Sequence, residues 1–179
     1  MTLTLIEAAL LVFVLGCAVG AALLKDTLAA VMAFAAYSLG VSVLWLVLQA
    51  PDVGLTEAAV GAGIMTVLFL LALSNTTSPD VDRLFESVGW RSAALVAGFV
   101  VLIGATVPAL PTIGDPNSAV VGGEVSQYYL ENAYAQTEVK NAVTAVLAAY
   151  RGFDTLGEGV VVFSAVVVTL SVLRREVVA

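Results

Sequence analysis

The sequence predicts an all-α, polytopic membrane protein with about five transmembrane helices, three spans followed by two. Of its 179 residues, 60% are hydrophobic and only 12% are charged, and the mean hydropathy is +1.03. Soluble domains carry about 25% charged residues. Several apolar runs approach the roughly 20 residues that an α-helix needs to cross the bilayer. The net charge of −7 argues against a nucleic-acid partner, because phosphate binding requires a basic surface.

Three predicted spans form the first part of the chain, at about residues 4–23, 28–49 and 53–73. Thr4 and Glu7 have the spacing of a capping box, which predicts that the first helix begins there. Lys25 and Asp26 supply a short polar turn before the second span. Pro51 interrupts the apolar run and is favoured in the first turn of a helix, so it predicts the start of the third span.

A polar connection at residues 75–89 separates these spans from a fourth span at about 91–109. Residues 110–138 follow as a long acidic loop without Lys or Arg. Its acidic residues are Asp115, Glu124, Glu131 and Glu138. Part of this loop, 124–135, is rich in tyrosine, which is enriched at membrane interfaces, and we expect a short interfacial helix there.

The end of the chain is predicted to hold a short broken helix and the last span. A helical stretch at about 138–150 is too short to cross the bilayer. Span five follows at about 156–173. We therefore divide the chain into residues 1–110, with three or four spans, and residues 111–179, with the acidic loop, the short helix and the last span.

The distribution of Lys and Arg predicts the orientation of the chain in the cell membrane. If the spans alternate, one side receives five basic residues, namely Lys25, Arg83, Arg91, Arg174 and Arg175. The other side receives Lys140 and Arg151. Because positive residues are enriched in cytoplasmic segments, we expect a cytoplasmic C-terminus, with the N-terminus and the acidic loop outside.

The residue inventory limits the chemistry that the chain can perform. It contains no His and a single Cys, Cys17, within an apolar run. This excludes a disulfide framework, a Cys/His zinc site and a cysteine-ligated cluster within the chain. Without His there is no nucleophile–base pair of the usual kind, and the sequence has no phosphate-binding glycine loop. We therefore expect neither an enzyme nor a bound cofactor.

Two carboxylates at the start of the third span are the strongest functional candidates. Asp52 follows Pro51, where the helix dipole favours a negative charge, and a surface cap is one interpretation of it. Glu57 lies roughly 7–8 Å deeper at 1.5 Å per residue. An acid within a span is by default a functional-site hypothesis, although the side chain could instead snorkel towards the interface. With Thr56, these residues are predicted to contribute to an ion path.

Small residues accompany these acids at helical spacing. Gly54, Gly61 and Gly63 are the predicted helix-packing positions, together with Ala58 and Ala62. Small residues allow a second helix to approach closely. Glycine also lowers the cost of local unwinding, which membrane helices tolerate where they line a polar cavity. The pattern predicts a buried polar site between helices.

A second polar segment precedes the last span. Lys140, Thr144, Leu147 and Arg151 are spaced to share one face of a short helix. Gly152 is then predicted to allow a turn that a residue with a Cβ would resist. The segment has two interpretations, an ion-paired helix entry or an ion site at a charged break in a helix.

The residues after this break complete the second set of candidates. Arg151 is within reach of Asp154, and Thr155 and Glu158 have the spacing of another capping box. The predicted ion-path residues of this segment are Lys140, Arg151, Asp154 and Glu158.

Both segments resemble parts of one known family. The segment from Gln49 to Gly63 closely resembles the D-type chain of archaeal membrane-bound hydrogenases and an element near the C-terminal end of the large A-type chain of Mrp cation/proton antiporters. The segment from Asn141 to Glu158 is similar to the E-type chain of the hydrogenases, to the tail of the Mrp A-type chain and to the Mrp B-type chain. Their order and spacing match a fused D–E module.

The resemblance implies a small, non-redox subunit of a sodium- or proton-translocating membrane arm, related to the J-type membrane component of respiratory complex I. Its implied partners are the other membrane components, which are large antiporter-like, B-, C- and F/G-like chains, together with the lipid bilayer. The large antiporter domain that precedes this module in Mrp A-type chains is absent from this sequence, and we expect another chain to supply it. The implied transported ions are Na⁺ and H⁺.

Three functions remain open at this point. The first is a path-forming subunit of an Mrp-type Na⁺/H⁺ antiporter, in which Glu57 exchanges a proton for a cation. The second is the ion-pumping arm of an energy-converting hydrogenase or another redox complex related to complex I. The third is a purely structural adaptor, for which the glycines matter and the acid does not.

Overall fold

The computed structural model describes residues 4–74, 76 and 83–176, with side chains up to residue 171. Much of the predicted polar connection, at 75 and 77–82, lies outside the described residues. Five helical segments are long and apolar enough to cross a membrane, and they are Leu5–Leu23, Thr27–Val47, Pro51–Ser74, Trp90–Ala109 and Gly152–Ser171. This confirms the all-α fold class with five spans.

The helices are α1 (Leu5–Leu23), α2 (Thr27–Val47), α3 (Pro51–Glu57), α4 (Met65–Ser74), α5 (Trp90–Gly104), α6 (Glu124–Thr137), α7 (Ala142–Ala145) and α8 (Gly152–Glu176). Two π-helices and one 3₁₀ turn complete the described elements. The first π-helix, Ala58–Ile64, joins α3 to α4 within the third span, and the second, Val146–Tyr150, follows α7. The 3₁₀ turn, Val107–Ala109, follows α5.

Local sequence signals explain where the first helices begin. The predicted capping box of α1 is confirmed, because Glu7 N–H donates to Thr4 Oγ1 and Thr4 N–H donates to Glu7 Oε2. Asp26 caps α2 by accepting a hydrogen bond from Ala29 N–H at 3.0 Å. Each cap satisfies a backbone donor that the first turn leaves without an intrahelical partner.

The turn between α2 and α3 brings the two helices back against each other. Gln49 adopts a left-handed conformation with φ of 62°. Ala50 N–H donates to Trp45 O at 2.9 Å, which closes the end of α2. Pro51 then occupies the first turn of α3, as predicted, since its fixed φ suits that position and its missing N–H is not needed there.

The chain forms two compact units, Met1–Leu110 and Pro111–Ala179. In the first, α2 is the central helix and packs against both α1 and the third span. Gly40 allows the close approach of α1, since a Cβ there would lie 2.9 Å from Val14 Cγ2 and 3.0 Å from Phe13 Cδ1. Val14 is correspondingly buried. The core of this unit therefore lies along the small residues of α2.

An isolated antiparallel bridge also belongs to the first unit. It pairs Leu24 with Phe85, and two backbone bonds support it, Lys25 N–H to Leu84 O at 3.1 Å and Glu86 N–H to Leu23 O at 2.7 Å. The connection after the third span is thereby held against the α1–α2 turn. In contrast, every residue of α5 is exposed.

In the second unit, α6 packs against α7 and the second π-helix. The Tyr129 and Tyr150 rings meet edge to face at 4.9 Å, Tyr150 OH donates to Gln136 Oε1, and Gln136 Nε2 donates to Tyr128 OH at 3.0 Å. Partial desolvation, with smaller contributions from the two neighbouring phenols, raises the pKa of Tyr150 above 10.0. The tyrosine-rich stretch is thus a helix, as predicted, and its tyrosines pack against the segment that leads into α8.

Candidate cation site

Glu57 lies at the junction where regular helix changes to π-helix in the third span. It is the last residue of α3, and Ala58 begins the π-helix. The π character is visible in the Met65 N–H, which donates to Val60 O five residues earlier. The glycine-rich sequence therefore does alter the helix locally. Such π segments are rare, and they occur frequently at functional sites.

The carboxylate of Glu57 is turned towards α2. A Cβ built at Gly61 would lie 2.6 Å from Glu57 Oε1 and also 2.6 Å from Ser38 Oγ. The two oxygens are therefore near neighbours over the position that glycine leaves empty. Glu57 is half-buried and Ser38 is 1% exposed. This places the acid at a helix–helix interface, beside a buried hydroxyl.

Gly54 makes the second close approach between the third span and α2. A Cβ there would lie 2.9 Å from the backbone oxygen of Ser42. Ser42 is 4% exposed, and its hydroxyl donates to Gly54 O at 2.7 Å. Both Gly54 and Gly61 are buried. The spacing of the two glycines thus holds the third span against one face of α2, on which Ser38 and Ser42 lie one turn apart.

Gly63 does not have this role. A Cβ at Gly63 would meet only Ala58 O, at the ordinary contact distance of 3.5 Å and within the same helical segment. The structure therefore gives no close helix approach at Gly63, unlike at the other two predicted glycines. The reason is geometric, because α2 approaches the face that holds Gly54 and Gly61 and not the face that holds Gly63.

The other predicted residues of this span are less enclosed. Asp52 is half-buried in the first turn of α3. Thr56 is exposed, and its hydroxyl donates to Asp52 O at 2.8 Å within its own helix. One turn beyond the site, Thr66 Oγ1 donates to Gly61 O at 3.4 Å, a bond across five residues that fits the π geometry. Of these acids, Glu57 alone is placed beside the buried serine.

The second polar segment, in the other unit, contains the second π-helix. Arg151 N–H donates to Val146 O at 2.8 Å, five residues earlier. The predicted pair of Arg151 with Asp154 is confirmed, with Arg151 Nη2 2.5 Å from Asp154 Oδ2. Both side chains are more than half exposed, so the pair contributes little to stability in an aqueous setting. Glu158 is also exposed, on α8.

Three expectations for this segment are wrong. Lys140 precedes α7, which begins at Ala142 after an Asn141 cap, so it does not share a helical face with Arg151. The π-helix also shifts the register that the spacing argument assumed. Thr155 is not a cap, because α8 already begins at Gly152 and Thr155 Oγ1 donates to Leu147 O at 2.8 Å.

Gly152 provides no special turn either. It is helical, and a Cβ there would have nothing within 4 Å. The break before α8 is instead made by Arg151, whose φ of −122° and ψ of 30° leave the helical region. The helix therefore resumes at once, several residues earlier than span five was predicted to begin.

Comparison with known proteins follows the division of the chain. The family model for the D component of MBH matches residues 12–78, and the family model for its E component matches residues 94–178. The "Na(+)/H(+) antiporter subunit A1" proteins of Staphylococcus aureus strains JH9, Newman and N315 are each 33% identical over 155 residues. The chain belongs to the family of fused D/E-type membrane subunits.

The D/E-type subunit aligns over 85% of its own length but spans only 18% of these curated relatives. Each matched family segment contains one of the two π-helices, the first at Ala58–Ile64 and the second at Val146–Tyr150. The E-type match begins inside α5, whereas that helix belongs to the first compact unit. The family boundary and the structural boundary of the D/E-type subunit thus differ by one helix.

The sequence analysis missed the α2 side of the site in the D/E-type subunit. Ser38, Gly40 and Ser42 are all buried in α2. Their alternation within a span is a signal that was available, since the two serines are separated by four residues and therefore share a helix face. No group of three His, Cys, Asp or Glu side chains in the described part of the chain is arranged to hold a metal ion.

Proposed function

We propose that this multi-pass membrane subunit contributes Glu57 to the cation and proton path of an Mrp-type Na⁺/H⁺ antiporter. One observation carries the proposal. Glu57 is half-buried against α2, with its carboxylate beside the Ser38 hydroxyl at a π-helix. An acid within a span is costly unless it faces protein or water, and such acids commonly mark ion pathways. The D/E-type subunit is then a transporter component without redox or hydrolytic chemistry of its own.

A carboxylate in this setting is suited to exchange. Its charged form is unfavourable at low dielectric unless a cation neutralises it, and a proton does the same. Binding of either ion therefore competes with binding of the other. A path that reaches Glu57 from both sides in turn would couple Na⁺ movement to H⁺ movement. Asp52, Thr56 and the segment holding Lys140, Arg151, Asp154 and Glu158 are proposed to line or border this path.

Two other functions remain as alternatives. The ion-pumping arm of a hydrogenase-type complex is favoured by the matches to the D and E components of MBH. A purely structural adaptor is favoured by the close approaches at Gly54 and Gly61. The antiporter is preferred because the curated relatives named as antiporter subunits align with both halves of the chain.

The function is tested by the company that the chain keeps and by its necessity. An affinity-tagged chain is expected to copurify with a large antiporter-like membrane protein and with small B-, C- and F/G-like chains. Everted vesicles from cells lacking the chain are expected to lose Na⁺-induced dissipation of the pH gradient, and restoring the chain should recover it. Copurification with a cluster-bearing oxidoreductase, and unchanged Na⁺/H⁺ exchange in the deletion strain, would select the redox-linked pump.

We also propose that the N-terminus and the acidic loop lie outside the cell and the C-terminus lies in the cytoplasm. The support is the excess of Lys and Arg on the opposite side from the acidic loop. In a Cys17→Ser background, Glu131→Cys should react with an impermeant maleimide in intact cells, whereas Arg83→Cys should react only after the membrane is opened. The reverse pattern would invert the proposed orientation.

A further inference from the structure

The two buried serines of α2 have different surroundings. Ser38 and Ser42 are 1% and 4% exposed and lie on the same face of the helix. Ser42 donates its hydroxyl to Gly54 O at 2.7 Å, which is a packing interaction between two helices. The Ser38 hydroxyl lies instead beside the carboxylate of Glu57, where Gly61 leaves room for both.

We propose that Ser38 is a direct ligand of the ion that exchanges at Glu57, supplying a hydroxyl oxygen opposite the carboxylate. This inference rests on the function proposed above and adds the second protein group of the site. Burying a hydroxyl in an apolar setting is unfavourable unless it has a polar partner. The carboxylate of Glu57 is the charged group placed beside it across the α2 interface.

The chemistry of a serine hydroxyl suits both states of such a site. Carboxylate and other oxygen ligands suit hard cations, and a serine oxygen has lone pairs to offer. When a proton replaces the cation, the protonated carboxyl of Glu57 becomes a donor, and the same Ser38 oxygen can accept its hydrogen bond. One ion leaves as the other binds, so the net charge of the site is the same in both states.

Gly61 is the third part of the arrangement. A Cβ at this position would lie within 2.8 Å of Ser38 Cβ as well as within 2.6 Å of both oxygens. Any larger residue would fill the space between the two proposed ligands. The site is therefore built from three residues on two helices, and only two of them supply oxygen atoms from their side chains.

The test compares Ser38→Ala with Ser42→Ala in the reconstituted complex that contains this chain. The two substitutions remove the same atom from the same helix face, but only the first removes the proposed ligand. A hydrophobic carbodiimide should label Glu57, and Na⁺ should protect it. For Ser38→Ala, the Na⁺ concentration that gives half-protection should rise about fivefold, as expected for the loss of one hydrogen-bond-strength interaction. The half-saturating Na⁺ concentration of transport should rise in parallel.

Ser42→Ala is expected to weaken helix packing while protection by Na⁺ keeps its wild-type midpoint. Ser38→Thr, which keeps the hydroxyl, should protect at nearly the wild-type concentration. Ser38→Cys has a similar volume and a poorer ligand for Na⁺, and it repeats the test if the alanine variant does not assemble. Equal midpoints for Ser38→Ala, Ser38→Cys and Ser42→Ala would overturn the role of Ser38. The proposed function fails separately, if Glu57→Gln still transports.

Discussion

Replacing Glu57 by glutamine is expected to reduce Na⁺/H⁺ exchange to background while the complex still assembles. Glutamine has nearly the same size and can form hydrogen bonds in the same place, so the packing of α3 and the π-helix against α2 should persist. It has no charge at any working pH, however, and cannot alternate between a bound proton and a bound cation. The change therefore removes the exchange chemistry and leaves the scaffold.

The measurement is Na⁺-induced dissipation of a pH gradient in everted vesicles, with the amount of assembled complex determined in the same membranes. Glu7→Gln is the matched control. Glu7 belongs to the capping box of α1, and glutamine also serves at that capping position, so exchange should be retained. Full exchange in a Glu57→Gln complex would remove Glu57 from the path and leave the adaptor function as the better explanation.

Replacing Gly61 by alanine is expected to destabilise the bundle formed by α1, α2 and the third span. The new Cβ would lie 2.6 Å from Glu57 Oε1 and Ser38 Oγ and 2.8 Å from Ser38 Cβ, all closer than non-bonded contact permits. Overpacking of this kind typically costs about 1–3 kcal/mol. The Glu57 carboxylate can rotate away, but Ser38 Cβ is fixed to α2, so the helices must separate or the acid must lose its place.

Gly63→Ala provides the control, since it makes the same chemical change two residues away. A Cβ at Gly63 would meet only Ala58 O at 3.5 Å, and alanine favours the helical state over glycine. We expect this variant to assemble and melt like the wild type, whereas Gly61→Ala should melt at a lower temperature and assemble poorly. Equal melting and assembly of the two variants would show that α2 does not approach the third span at Gly61.

Taken together, the two substitutions separate the remaining functions. A path-forming subunit loses exchange with Glu57→Gln and loses assembly with Gly61→Ala. A structural adaptor is sensitive only to Gly61→Ala. The distinction holds because the first variant alters charge at nearly constant volume, and the second alters volume without adding charge.

Much of the architecture was predictable from local sequence. The apolar runs fix the number of spans, because only a long apolar helix satisfies its backbone within the bilayer. Thr4 and Glu7 fix the start of α1, and Pro51 the start of α3, because both effects act within a single turn. The pairing of Arg151 with Asp154 is likewise a contact between residues close in sequence.

Prediction failed where the helices depart from regular geometry. Both π-helices insert extra residues into a turn, so spacing rules based on 3.6 residues per turn no longer apply beyond them. This is why Lys140 and Arg151 do not share a face, and the capping-box spacing of Thr155 proved equally uninformative inside α8. Backbone hydrogen bonding decides the change of register, and the residue pattern alone does not reveal it.

The sequence by itself determined the membrane-spanning class, the helix starts and the identity of the acid within the third span. Tertiary structure decided what surrounds that acid. Gly54 and Gly61 differ from Gly63 only in facing α2, and Ser38 acquires its significance only by lying across from Glu57. Helix formation depends on neighbours along the chain, whereas the surroundings of a buried charge depend on which helix packs against it and at what register.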